Sequence, residues 1–191
     1  MYPKYHPALK NDIIKLHDRF FKVMIPAAEI DEAVSRIALN INADYADSPQ
    51  PPILVSVLSG SFMYLADLSR KLDFANEILF VKISSYDGTS STGEVKMHLG
   101  VDFDITGRDI IIVEDIVETG TSITYMMEHL RKLNPRSVEV CTLFYKPDKY
   151  RGQTPVKYRA MEIGNEFIVG YGLDYDQLGR NLKDIYVVCD E

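Results

Sequence analysis

The chain has 191 residues, a length that suits one α/β domain with its own hydrophobic core. Hydrophobic residues make up 46% of the sequence and charged residues 26%, which is usual for a soluble globular protein. The formal net charge of −7 disfavours a broad electrostatic contact with RNA or DNA, so we expect no nucleic-acid partner.

The cysteines and the apolar segments indicate an intracellular protein. Cys141 and Cys189 both lie in apolar runs and neither has a CxxC partner, so we interpret them as reduced, buried thiols. The segment Met1–Lys10 has no apolar signal-peptide core, and no apolar stretch approaches the length of a membrane span. We therefore expect a cytoplasmic protein without a membrane partner.

The first half of the chain alternates helical and extended patterns. Apolar residues at helical spacing predict a helix over Ala27–Tyr45, and a short β-branched run predicts a buried strand over Ile53–Leu58. Helical spacing returns over Phe62–Lys71, and Ile78–Ser84 is the next predicted strand. The polar segment Tyr86–Lys96, rich in Gly, Ser and Thr, is interpreted as a mobile loop.

The second half continues this order. Asp109–Glu114 is a predicted strand, and a predicted helix follows from about Ile123 until Pro135 stops it. Val138–Phe144 is a further buried strand, and the tail carries two short apolar runs.

This order predicts an α/β fold, a mostly parallel twisted sheet flanked by helices on both faces. We expect one domain over residues 1–191, with a core at about 27–145. The segments at about 1–26 and 157–191 fit no further βαβ unit, so we expect them to form a small hood over the sheet.

An acidic pair followed by a small-residue turn is the most informative feature. Glu114 and Asp115 stand at the predicted carboxyl end of a strand, where open parallel sheets bind ligands. Neighbouring carboxylates repel, so they are tolerable where they face a cation or sugar hydroxyls. Thr119–Ser122 directly precedes a helix, and its backbone N–H groups can converge on an anion. The alternative is that Thr121 or Ser122 merely caps that helix.

The whole run IIIVEDIVETGTSIT (Ile110–Thr124) resembles the signature of type I phosphoribosyltransferases. In the same order as that family, four blocks resemble the hypoxanthine-guanine phosphoribosyltransferases: VLSGSFMY (Val57–Tyr64), SSYDGTSSTGEVK (Ser84–Lys96), VEDIVETGTS (Val113–Ser122) and FIVGYGLDYDQLGRNL (Phe167–Leu182). The resemblance implies Mg²⁺-dependent transfer of a phosphoribosyl group from 5-phosphoribosyl-1-pyrophosphate to a 6-oxopurine such as hypoxanthine or guanine, in purine salvage.

The resemblance also implies roles at the sugar-phosphate end. Glu114 and Asp115 would bind the ribose hydroxyls and help hold Mg²⁺, and Glu118 would be the general base near purine N7. The 5′-phosphate would lie on Glu118, Thr119, Gly120, Thr121 and Ser122. Pyrophosphate would meet a loop that often contains a non-proline cis peptide in this family, formed by Leu58, Ser59 and Gly60.

At the purine end, the resemblance implies that Phe167 stacks on the base while Lys146 donates to its 6-oxo oxygen. Backbone groups of Ile168 and Asp174 would read the rest of the base edge. The Asp174 carboxylate and Arg180 would hold pyrophosphate with its metal. The mobile loop that closes over the reacting centre would contain Ser85 and Tyr86.

Each of these side chains has a simpler interpretation. Phe167 could be a core residue, Lys146 a solvated lysine at a strand end, and Tyr86 an exposed loop aromatic. Arg180 could pair with Asp176 or Asp184 on a surface turn.

Four positions depart from the family pattern. Glu118 stands where aspartate is usual, and basic residues are more often found at the positions of Ser59, Thr121 and Glu166. Because an ionised carboxylate can only accept hydrogen bonds, Glu166 would oppose a 6-oxopurine from inside the site, so we expect it to point outward.

Two other functions are open to this sequence pattern. One is a regulatory nucleotide-binding module with weak or no catalysis, although such modules usually need a basic nucleic-acid surface. The other is a dinucleotide-binding enzyme, which is disfavoured because no GxGxxG follows the first predicted strand. A homodimer or homotetramer is expected from the size of the chain.

Overall fold

The computed structural model describes residues 13–85, 95–99 and 104–190. Within these ranges the helices are α1 (Ala27–Tyr45), α2 (Phe62–Arg70) and α3 (Thr121–Arg131). The strands are β1 (Ile13–Leu16), β2 (Arg19–Ile25), β3 (Ile53–Leu58), β4 (Glu77–Ser85), β5 (Val95–Leu99), β6 (Asp109–Val117), β7 (Ser137–Tyr145), β8 (Tyr158–Glu162), β9 (Ile168–Val169) and β10 (Ile185–Cys189). None of these helices is long and apolar enough to cross a membrane.

The main sheet has the strand order β5-β4-β3-β6-β7-β8. The five strands from β4 to β8 in this order are parallel to one another, and β5 is antiparallel to β4 at one edge. Strands buried on both faces need near-continuous apolar sequence, which explains the runs in β3 and β6. The predicted mostly parallel α/β sheet is confirmed.

Both faces of the sheet are covered because side chains alternate along each strand. On β3, Leu54 packs in the cluster formed with α1 and α2, whereas Ile53 and Val55 pack in the cluster formed with α3. Helices on both faces therefore follow from the sequence, as predicted.

A second sheet with the order β1-β2-β10-β9 brings together strands from the first and last parts of the described chain, and we call it the hood. Its small core includes Phe21 and Val169, both fully buried. One boundary of the predicted hood is wrong, because β8 is not part of this sheet. It extends the main sheet, pairing parallel with β7 from Cys141 opposite Tyr158.

Several predicted boundaries need correction. The predicted loop Tyr86–Lys96 is wrong at its end, because Val95 and Lys96 belong to β5. β6 runs three residues further than predicted, to Val117, because it continues to pair with β7. Cys141 is buried as expected, whereas Cys189 is only partly buried.

Candidate active site

A crevice opens between β3 and β6 at their carboxyl ends. β6 pairs with β3 only as far as Val113 opposite Ser56, but with β7 as far as Val117 opposite Tyr145. The chain passes from β3 to β4 on one side and returns to β6 on the other, so the strand order reverses here. Open α/β sheets bind ligands at such a point.

Glu114 and Asp115 lie in β6 where this crevice begins. Glu114 is only 7% exposed, and burial together with the neighbouring Asp115 charge raises its pKa well above the usual range. Burial also raises the pKa of Asp115 to about 6, although its Oδ1 accepts a hydrogen bond of 2.8 Å from the Ile116 N–H. Because their charged forms are penalised, this acid pair favours a cation or hydroxyl ligand.

The turn before α3 encloses an anion-sized hollow. Gly120 is the N-cap residue of α3 and has a φ of 85°, a left-handed conformation that suits glycine. Because the N-cap residue has no side chain, the alternative in which Thr121 or Ser122 caps the helix is wrong. A cavity of about 200 Å³ is lined by Glu114, Ile116, Val117, Ile123 and the segment from Glu118 to Ser122. Glu114 and the turn therefore face a common space, and Asp115 is the next residue along β6.

The segment after β7 supports this turn from behind. A Cβ atom on Gly120 would lie 2.4 Å from Cε2 of Tyr150, so the aromatic ring covers the turn. The Arg151 N–H donates to the Thr119 carbonyl at 3.1 Å, and the Tyr150 hydroxyl donates to the Thr154 carbonyl. The turn is thereby fixed by packing as well as by its own sequence.

The loop after β3 closes the other side of the crevice. Its Leu58–Ser59 peptide bond is cis. A Cβ atom on Gly60 would lie 1.5 Å from Oδ2 of Asp115, so only glycine allows the carboxylate to approach this backbone. The predicted pyrophosphate loop and the acid pair are thus in direct contact.

Asp174 and Arg180 approach the same acid pair from the hood. Arg180 Nη2 lies 2.7 Å from Asp174 Oδ1, and Arg180 Nη1 donates to the Gly172 carbonyl at 2.8 Å. Arg180 lowers the pKa of Asp115 and Asp174 raises it, although burial is the larger effect. The alternative partners Asp176 and Asp184 contact His17 and the Ala27 N–H instead.

Lys146 directly follows β7 and is only 2% exposed. Its Nζ donates to Glu118 Oε1 at 2.5 Å and to the Glu166 carbonyl at 3.0 Å. The interpretation of Lys146 as a solvated lysine is therefore wrong.

Phe167 is 42% exposed, which contradicts the interpretation of its side chain as core. Its ring lies 6.4 Å from that of Phe21 and 5.8 Å from that of Tyr175, so one side is packed while much of the ring is open. Ile168 beside it is buried. Glu166 is exposed and its carboxylate lies against Gly164, which confirms that it points outward.

Lys149 is the contact that sequence reasoning missed. Its Nζ donates to Glu118 Oε2 at 3.1 Å, so the carboxylate lies between two ammonium groups. Partial burial raises the pKa of Glu118, but hydrogen bonds from Lys146 and Lys149 outweigh it and lower the pKa overall. The sequence signal was the Lys-Pro-Asp-Lys turn, which brings Lys149 back beside Lys146.

The predicted closing loop is described only at its edge. Ser85 is the last residue of β4, and Tyr86 lies outside the described residues.

An acid pair and an anion-sized hollow at the switch point of an open sheet are typical of α/β proteins that bind phosphorylated sugars or nucleotides. The family model described as phosphoribosyl transferase domain matches residues 26–176. The chain belongs to the phosphoribosyl transferase family.

Individual relatives agree with this assignment. Over 173 residues the chain is 41% identical to hypoxanthine phosphoribosyltransferase of Escherichia coli (strain K12), covering 89% of this chain and 97% of that protein. It is 38% identical over 168 residues to hypoxanthine-guanine phosphoribosyltransferase of Mycobacterium tuberculosis (strain ATCC 25618 / H37Rv), covering 85% and 83%. A solved Trypanosoma cruzi hypoxanthine phosphoribosyl transferase superposes on this chain with a TM-score of 0.83. The two are 33% identical, over 92% of this chain and 94% of that one.

Proposed function

We propose that the protein transfers the 5-phosphoribosyl group from phosphoribosyl pyrophosphate to a 6-oxopurine, hypoxanthine or guanine, in purine salvage. The products are the nucleoside 5′-monophosphate and pyrophosphate. The observation that carries this proposal is the hollow shared by Glu114 and the turn from Glu118 to Ser122. A phosphorylated ribose has both features that this hollow fits, an anionic group and neighbouring hydroxyls.

The acid pair suits the transition state of this reaction. A bond forms between a purine ring nitrogen and the anomeric carbon while the bond from that carbon to pyrophosphate breaks, so positive charge develops on the sugar. Glu114 and Asp115 would bind the ribose hydroxyls and stabilise that charge. The turn would hold the 5′-phosphate through its backbone N–H groups.

Mg²⁺ fits the residues at the pyrophosphate end. Among the described residues no group of three or more His, Cys, Asp or Glu side chains is arranged to enclose a metal. Mg²⁺ commonly takes only one or two carboxylates and completes its shell with water and substrate phosphates, and Glu114, Asp115 and Asp174 can supply them. When bound, Mg²⁺ would neutralise the leaving pyrophosphate. Arg180 and the backbone from Leu58 to Gly60 would bind the same group.

The purine end favours a base with a 6-oxo group. The Lys146 ammonium can only donate hydrogen bonds, so it would bind a 6-oxo oxygen but would face the 6-amino donor of adenine unfavourably. Phe167 offers an open ring for stacking, and backbone groups of Ile168 and Asp174 would read the base edge. Glu118 would accept the proton released near purine N7.

A direct assay tests this function. Purified protein would be incubated with Mg²⁺, phosphoribosyl pyrophosphate and hypoxanthine, guanine, xanthine or adenine in turn, and nucleoside monophosphate would be quantified. We expect product with hypoxanthine or guanine and little with adenine. An absence of product with every 6-oxopurine would overturn the proposal and favour the regulatory module instead.

A cytoplasmic location and a homodimeric or homotetrameric state belong to the same proposal. Light scattering on the purified protein would test the oligomeric state.

A further inference from the structure

We propose that Lys149 is a positioning residue: it holds the Glu118 carboxylate in place while Lys146 binds the purine. This role rests on the proposed function, because it assumes that Lys146 binds the base. The contact between Lys149 and Glu118 does not depend on that assumption.

The geometry places one cation on each oxygen of the Glu118 carboxylate. Lys146 Nζ lies 2.5 Å from Oε1 and Lys149 Nζ lies 3.1 Å from Oε2. Among the described residues these two lysines are the charged groups that face Glu118, one directly after β7 and one in the turn that follows. The carboxylate is therefore held from both sides.

The two lysines differ in burial, and this difference separates their roles. The Lys146 side chain is 3% exposed, whereas those of Lys149 and Glu118 are both 39% exposed. Lys146 faces the interior of the site, where the purine is expected. Lys149 lies toward solvent, on the side of the carboxylate away from the purine-binding lysine.

The Lys146 ammonium has one N–H donor left for the purine. An ammonium has three N–H donors, and the Glu118 carboxylate and the Glu166 carbonyl take two of them among the described residues. When that third donor binds the 6-oxo oxygen, the positive charge of Lys146 serves a further acceptor, so its interaction with Glu118 weakens. Lys149 then keeps the carboxylate ionised and in position to accept the purine proton.

The length of the glutamate arm makes this second contact necessary. Compared with aspartate, Glu118 has one more C–C bond, about 1.5 Å, and one more rotatable torsion. The extra torsion lets the carboxylate swing away unless both oxygens are held. With an aspartate at this position, the distance of 3.1 Å to Lys149 would grow beyond hydrogen-bond reach.

The turn that carries Lys149 is itself ordered by backbone contacts. The N–H groups of Lys149 and Tyr150 both donate to the Lys146 carbonyl at 3.1 Å. Tyr150 also packs over Gly120, so the same segment supports the phosphate turn. Lys149 therefore projects from a fixed base toward Glu118.

Exchange of Lys149 for methionine tests the role directly, with Lys149→Arg as the conservative variant. We expect Lys149→Met to lower kcat about five-fold while the KM of the purine changes less than two-fold, because the base is misplaced but the purine contacts persist. The acid limb of the kcat/KM profile should move to higher pH, and Lys149→Arg should restore both kcat and the profile. Lys157→Met is the matched control, since it removes a surface ion pair of 2.9 Å with Asp44.

A double-mutant cycle tests the dependence on the longer arm. In a Glu118→Asp background, Lys149→Met should have no further effect on kcat, because the shorter carboxylate no longer reaches Lys149. An additive effect of the two changes would overturn the proposal. An unchanged kcat and pH profile in Lys149→Met alone would overturn it as well.

A measurement without turnover separates this proposal from the proposed function. Carbon-13 NMR of carboxyl-labelled glutamate would follow the Glu118 titration in the wild type and in the Lys149 variants. We expect Lys149→Met to raise the measured pKa of Glu118 and Lys149→Arg to leave it near the wild-type value. If that pKa does not move, the Lys149 proposal is wrong even if the enzyme is active. If the pKa moves but no nucleotide forms, the proposed function is wrong while the contact stands.

Discussion

The carboxylates of the crevice have pKa values shifted in opposite directions. Burial raises the pKa of Glu114 and of Asp115, whereas two lysines lower the pKa of Glu118 against the effect of its partial burial. Environments that shift neighbouring carboxyl groups apart commonly mark a division of roles. Glu114 and Asp115 suit a ligand that brings positive charge, and Glu118 suits a base that is ionised at neutral pH.

Replacing Glu118 by glutamine should separate catalysis from binding. The change keeps the shape of the side chain but removes the proton acceptor, so we expect kcat to fall about 100-fold while the purine KM changes only a few-fold. Steady-state kinetics with hypoxanthine would measure both. Glu162→Gln, which removes an exposed carboxylate 3.2 Å from Arg159, is the control and should leave both values unchanged. If the Glu118→Gln enzyme keeps the wild-type kcat, Glu118 is not the proton acceptor.

Replacing Asp115 by asparagine should stabilise the protein and inactivate it. The folded pKa of about 6 lies above the unfolded value of about 3.9, so the folded state binds more protons and its stability falls as pH rises from about 4 to about 6. Asp115→Asn removes this penalty, but its amide adds two N–H donors that need partners, so we expect the free protein to gain a net of about 1 kcal/mol, or about 3 °C in Tm, at pH 8. At pH 4 the two proteins should melt together.

Thermal unfolding at both pH values would check this expectation. Asp104 is a suitable control, because its pKa is shifted in the opposite direction. A hydrogen bond from the Thr106 backbone lowers the pKa of the exposed Asp104, so Asp104→Asn should not raise Tm at pH 8. A lower Tm for Asp115→Asn at pH 8 would contradict the stated origin of the shift.

At the scale of elements, the phosphate turn depends on one glycine. Gly120→Ala must accept an unfavourable φ of 85° and place its Cβ 2.4 Å from the Tyr150 ring, so the turn or the ring has to move. We expect the KM for phosphoribosyl pyrophosphate to rise at least about ten-fold. Kinetics at varied substrate concentration would measure this change.

Gly107→Ala is the matched control for Gly120→Ala. Gly107 has a φ of 71°, but a Cβ atom there would meet nothing within 4 Å. It should therefore cost about 1 kcal/mol of stability with no effect on the KM. Equal kinetic effects of the two substitutions would show that backbone strain, not the turn, is responsible.

At the amino end of β6, away from the crevice, the buried carboxylate of Asp109 pairs with a half-exposed arginine. Asp109, at the start of β6 and 4% exposed, accepts a hydrogen bond of 2.8 Å from Arg136 Nε and bonds of 2.6 Å from Ser48 and Ser137. We expect Asp109→Asn to lower the free energy of unfolding by about 2 kcal/mol, because it leaves the guanidinium without its charged partner.

Urea denaturation would measure this loss, and the exposed Asp47→Asn should have little effect. Because Asp109 lies at the end of the strand away from the crevice, kcat and KM should not change. A large effect of Asp109→Asn on kcat or KM would contradict the view that the amino end of β6 serves stability while its carboxyl end binds the substrate.

At the scale of the whole molecule, the sequence predicted the parts whose signals are local. The periodicity of Ala27–Tyr45 and the apolar run Ile53–Leu58 gave both elements with the bounds that the structure has. The acid pair and the small-residue turn were recognisable because they are contiguous and follow a strand. Local spacing was sufficient for these features.

Features that depend on distant contacts could not be predicted in the same way. β8 is short and is defined by its pairing with β7, so its five residues were assigned to the hood. Lys149 acts on Glu118 from 31 residues away, and no periodicity reports such a contact. The approach of Asp174 and Arg180 to Asp115 likewise depends on how the hood lies on the sheet.

A crystal structure with a bound nucleoside 5′-monophosphate would test the central claim most directly. We predict that the phosphate oxygens lie within hydrogen-bond distance of backbone N–H groups from Thr119 to Ser122, and that both ribose hydroxyls contact Glu114 and Asp115. A phosphate bound outside this turn, or a ribose turned away from the two acids, would contradict the account.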